Sequence, residues 1–115
     1  MDGVRGYSEA ELIELLNHSE EEAVSGALLY MTFNAQDAGW IQEMLLEFIS
    51  SNKNDSMRCL AITCLGHTAR IHGAINEELT IPALKRYLEN ESLAGRARSA
   101  LDDIEVFIFR KNRKT

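Results

Sequence analysis

A single proline in 115 residues leaves little to interrupt helices, because a proline inside a helix removes a hydrogen bond and clashes with the preceding turn. Two cysteines are too few for a disulfide framework. Cys59 and Cys64 are five apart on one expected helix, where their side chains point in different directions. They read as two small buried apolar residues rather than a metal or redox pair. The seven glycines are scattered, and no Gly-x-x-x-x-Gly-Lys loop is present to cradle a phosphate. Ser25-Gly26 does not form a nucleophile elbow. No apolar run approaches the ~18 residues a membrane span needs, and Met1-Asp2-Gly3-Val4-Arg5 lacks a signal-peptide pattern. The expectation is a cytoplasmic protein with no membrane association.

Histidines are also few. His67 and His72 are five apart, not the four that would place two ligands on one helical face, and His18 is remote in sequence. No cysteine or carboxylate spacing completes a metal site. Paired acids such as Glu77-Glu78 and Asp102-Asp103 read as solvated helix turns, and nothing assembles an acid, a base and a nucleophile. The chain is expected to be a non-enzyme with no metal and no cofactor.

Charge is present and unevenly placed. Residues 1–55 hold eleven acids against two bases, Arg5 and Lys53, a net of −9; residues 56–115 hold seven acids against ten bases, a net of +3. Such asymmetry points to a charged partner. An acidic face attracts basic proteins and repels nucleic acid. The plainer account is that glutamate is a good helix former on solvated faces.

Helix signals run along the whole chain. Ser8 and Glu11 make a capping box ahead of Leu12, Ile13, Leu15 and Leu16, a short helix ending near Asn17. Ser19 and Glu22 make a second box, opening a helix to about Phe33 with Val24, Ala27, Leu28 and Met31 on one stripe. Asp37 caps a third helix carrying Trp40, Ile41, Met44, Leu45, Phe48 and Ile49. After the polar loop 50–54 comes a helix from Asp55, apolar on nearly every side and stopped by Gly73. Pro82 predicts a short helical turn before it and a main helix starting near it, with Leu84, Tyr87 and Leu88. A last helix spans about Leu93 to Phe107, followed by a basic tail over 109–115.

The stretch from Asp55 has two weaker copies. Thirty-six residues on, Met57, Ala61, Cys64, Leu65 and Thr68 become Leu93, Ala97, Ala100, Leu101 and Ile104. Thirty-seven back, Ala61, Cys64, Leu65 and Thr68 become Val24, Ala27, Leu28 and Met31. A fixed period of this size indicates stacked helical hairpins, here about 8–33, 37–72 and 76–108 within one domain, 1–115.

Asp55-Ser56-Met57-Arg58, Ala61 and Cys64-Leu65-Gly66 resemble the second helix of a HEAT repeat. Pro82-Ala83-Leu84 and Leu88 look like the start of a HEAT first helix. Ala94 replaces the arginine expected in the last copy, and the period is shorter than usual. The resemblance implies an all-α chain of about six helices, three antiparallel HEAT-like hairpins in a short right-handed α-solenoid. It also implies that Arg58 pairs with a nearby acid such as Asp55. In size, acidity and repeat number the chain is similar to the small all-helical immunity proteins of bacterial contact-dependent growth inhibition and related toxin systems. That likeness implies a cytosolic inhibitor bound 1:1 to a cognate toxin domain, often a nuclease.

Trp40 has two readings: core, with Met44 and Phe48 on a helical stripe, or an anchor for a partner, since tryptophan and tyrosine are enriched at binding hot spots. In the second, Tyr30, Asn34, Asp37, Glu43 and Glu47 surround it, and Asp37, Glu43 and Glu47 pair with the Lys or Arg side chains of a nuclease's substrate groove. A scaffold or adaptor in a larger complex is the alternative. Less favoured is a nucleic-acid binder using Arg58, Lys85, Arg86, Arg96 and Arg98, which the net charge opposes.

Overall fold

The computed structural model describes residues 6–52 and 54–110. Among them are six α-helices and no strand: α1 (Glu9–Leu16), α2 (Glu21–Asn34), α3 (Ala38–Ser51), α4 (Asp55–His72), α5 (Glu77–Tyr87) and α6 (Ala94–Ile104). A π-helical segment, Glu105–Arg110, prolongs α6. The helices pack in consecutive pairs, α1 on α2, α3 on α4 and α5 on α6, and the second members also pack on one another, α2 on α4 and α4 on α6.

Most helix starts follow the local chemistry. Ser8 and Glu11 form the reciprocal capping box at α1. Asp37, Asn54 and Asn76 cap α3, α4 and α5 by accepting the N–H groups of Trp40, Met57 and Leu79. Each such cap contributes about 1 kcal/mol. Gly73 ends α4 in the left-handed conformation, φ 62°, which glycine adopts without a Cβ clash.

Three expectations are corrected. The second capping box does not form: α2 begins after Glu20, whose side chain makes no cap bond, and the Glu20 N–H donates to His18 Nδ1 at 3.1 Å. The bend at Ser19-Glu20 carries Ser19 out of the capping position. Pro82 does not start a helix but lies inside α5. Pro82 and Glu78 are both exposed, so the carbonyl that loses its partner lies in an exposed turn. Phe109 and Arg110 belong to the π-helical segment rather than to a tail; the rest of the expected basic tail, 111–115, lies outside the described residues.

The core lies between the first and second helices of the pairs. Leu28, Met31, Ile41, Leu45, Ile49, Ile62, Leu65, Leu84, Leu93 and Ile104 are almost wholly buried, and side chains of this size contribute about 1.5–3 kcal/mol each on full burial. α4 is central, packed against α2, α3 and α6, which accounts for its lack of a clear polar face. Gly66 permits its close approach to α6: a Cβ there would lie 3.3 Å from the Ala100 Cα and 2.5 Å from a carboxylate oxygen of Asp103. Two buried threonines bond back along their own helices: Thr32 donates to the Leu28 carbonyl and Thr68 to the Cys64 carbonyl, each at 2.8 Å. Gln42, also buried, ties α3 to α5. Its Oε1 accepts the Asn76 N–H at 2.6 Å and the Thr80 hydroxyl at 2.7 Å, and its Nε2 donates to the Ala38 carbonyl at 3.2 Å.

Candidate partner-binding site

Asp37 places the start of α3. Its Oδ1 accepts the Trp40 N–H at 3.1 Å, which leaves Oδ2 directed elsewhere. Trp40 is half-buried: it packs against the core and also lines an open cleft of about 280 Å³. Core and surface are therefore both correct descriptions of one side chain. Tyr30, Asn34 and Asp37 line the same cleft, so four of the six residues singled out in the sequence come together.

Tyr7 and Glu9 complete it. The Tyr7 ring meets the Tyr30 ring edge-on, centroids 4.9 Å apart at 90°, and the Tyr7 N–H donates to the Tyr30 hydroxyl at 3.3 Å. Asn34 donates its Nδ2 to the Tyr30 carbonyl at 3.0 Å, leaving its amide oxygen as an acceptor.

Glu47 lies at a separate dimple of about 100 Å³, with Ile13, Leu16, Met44 and Phe48. Glu43 is exposed and lines neither depression. The two depressions share both walls in the same order. Glu9 and Leu12 of α1 face Asp37 and Trp40 at the start of α3, whereas Leu16 and Asn17 face Phe48 and Ser51 at its end. α1 and α3 thus run side by side in the same direction, with a shallow groove between them. Its floor is apolar and its edges carry Glu9, Asp37 and Glu47.

The Tyr7 and α1 contributions went unassigned in the sequence. One signal was available: Leu12, Ile13, Leu15 and Leu16 are too broad a run for a single buried stripe, and Ile13 is indeed 41% exposed.

A second surface crosses α2 and α4. Leu29, Phe33 and Ile71 are exposed there, and the Phe33 ring tilts against His67, centroids 5.4 Å apart. Arg70 Nη2 lies 2.8 Å from His67 Nδ1. Burial, helped by the Arg70 cation, holds the His67 imidazole below its usual range, and Asp103 opposes both.

Two of the candidate basic residues, Arg58 and Arg96, make bonds within the chain. Arg58 is engaged internally: its Nη1 pairs with Asp55 at 3.1 Å and its Nε donates to the Ile49 carbonyl at 2.9 Å. This is the pairing that the HEAT resemblance implied. Arg96 donates to Thr63 Oγ1 at 3.2 Å. Cys59 and Cys64 are free thiols, and burial raises the pKa of Cys64 although a hydrogen bond with Thr32 opposes it. Among the described residues no group of three or more His, Cys, Asp or Glu is placed to hold a metal ion, and no helix is long and apolar enough to cross a membrane.

The architecture is an all-α fold of paired helices whose first two first-position helices bound an acid-edged groove. A solved structure shares the fold. A chain of the CDI complex from Cupriavidus taiwanensis LMG 19424 superposes with a TM-score of 0.82 at 28% sequence identity, over 90% of this chain and 91% of that one. No protein-family model matches the chain, and no curated protein does.

Proposed function

We propose that this chain is a cytoplasmic immunity protein: it binds the toxin domain of a CDI-type pair 1:1 and blocks that domain's active site. The observation that carries the reading is the structural likeness, over nine-tenths of both chains, to a chain of a CDI complex. The acid-edged α1–α3 groove supports it and indicates a basic partner surface, of the kind a nuclease uses to hold phosphates. In this reading the chain has no catalytic role. A covered active site needs only a complementary surface, with affinity from a few desolvated anchors and a polar rim that excludes water.

Capture from the native cell tests this. The tagged chain is expected to retain one toxin domain in equimolar amount. That domain, expressed alone in a heterologous host, is expected to arrest growth, and co-expression of this chain is expected to restore it. Retention of a large assembly with no toxic member would replace this reading with a scaffold.

A further inference from the structure

The cleft at the Trp40 end of the groove has chemistry that a general acidic surface does not. Its walls are aromatic: Tyr7 and Tyr30 at right angles, and Trp40. Its rim carries the carboxylates of Glu9 and Asp37 and the amides of Asn34 and Gln36, and among the described residues no cationic one lines it. Two of the lining residues keep an acceptor that these bonds do not use. Asp37 spends Oδ1 on its cap, leaving Oδ2 available, and Asn34 spends its donor, leaving its oxygen. Its volume of about 280 Å³ is sufficient for one long side chain.

We propose that this cleft is a socket for a single arginine side chain of the partner. A guanidinium is planar, so it stacks on an aromatic face, and its five donors suit a lining that offers carboxylate and amide oxygens. An ammonium is more strongly hydrated and lacks the planar fork, so lysine fits less well. A neutral side chain of the same length would leave Glu9 and Asp37 without a counter-charge. The proposal rests on the reading that the partner is a basic protein, and it names the chemistry that one end of the groove selects.

Trp40 is the only tryptophan, so its emission reports occupancy. N-acetyl-arginine amide titrated into the full chain is expected to change that emission and saturate in the millimolar range, as befits a ligand of so few atoms. N-acetyl-citrulline amide, isosteric and neutral, and N-acetyl-lysine amide are expected to bind at least about fivefold more weakly. Asp37→Asn keeps the α3 cap, because asparagine caps as well as aspartate, and is expected to weaken the arginine amide by about threefold, the weight of one exposed charge. Tyr30→Leu removes an aromatic wall and is expected to weaken it further, with helix content by circular dichroism confirming the fold. Equal binding of the citrulline or lysine amide, or no response to the arginine amide, would overturn the socket. Growth rescue is a separate measurement, so loss of the socket leaves the immunity reading standing, and loss of rescue leaves the socket standing.

Discussion

At the residue scale, His67 is held by packing between three helices. The ring lies on α4 between Phe33 of α2 and the α6 side that carries Asp103, and its Nδ1 faces Arg70. Its folded pKa is lowered, first by burial and then by Arg70, from the ordinary value of 6.5. The sign of the linkage follows. As pH falls through about 6.5 the unfolded chain takes up this proton first, so the folded state loses stability down to the lowered pKa. Urea unfolding at pH 7.5 and pH 5.5 is expected to show a lower midpoint at the acid value, and His67→Gln is expected to flatten that difference while keeping an acceptor for Arg70. A slope unchanged in the variant would assign the pH dependence elsewhere. Burial of this kind is invisible in a sequence, where His67 is only a polar residue on an apolar stretch.

At the element scale, the caps and stripes were legible and the exceptions were made by tertiary contacts. Asp37, the Ser8–Glu11 box and Gly73 act locally, through bonds spanning three or four residues, so the sequence alone places them. Pro82 departs from its sequence expectation because its cost depends on which side of the helix the orphaned carbonyl faces, a property of packing. Gln42 was missed for the same reason. It stands next to the buried stripe of Ile41, Leu45, Phe48 and Ile49, and nothing in α3 reveals that the donors to its Oε1 lie thirty-four and thirty-eight residues away. Its side chain joins the start of α5 to α3, two elements that share little other contact. Gln42→Leu would keep the volume and strand the Asn76 N–H and the Thr80 hydroxyl. Leaving two such groups unsatisfied costs about 2–4 kcal/mol, seen as a lower midpoint in urea. Pairing that substitution with Thr80→Val is expected to recover part of the loss, since an unmade bond is cheaper when both partners are apolar.

At the scale of the whole molecule, charge and fold are segregated in one sense and shared in another. The acidic first half supplies α1 and α3, which bound the groove, while α4, at the centre of the stack, carries more buried residues than any other helix. The sequence made the acidic bias readable by counting, and the periodic small residues made the helix stack readable. The groove was not readable, because it arises from the gap between two helices separated by α2. That gap also changes how the acidic face should be tested. Asp37 is a cap, so reversing its charge would damage α3 as well as binding. Glu43 and Glu47 are exposed on α3 and can be reversed together without that cost. Against the captured partner, Glu43→Lys with Glu47→Lys is expected to lower the association rate about tenfold at ~0.01 M ionic strength, where charges act over about 30 Å. The difference is expected to shrink near ~0.1 M, where that reach falls to about 10 Å. Dissociation is expected to change less than association, because charges at a rim steer the encounter more than they hold the complex. An association rate indifferent to both salt and reversal would move the contact to the other face, where Leu29, Phe33 and Ile71 are exposed. A partner held there would bind through apolar burial, and Phe33→Asp would then weaken the complex while the groove variants left it intact.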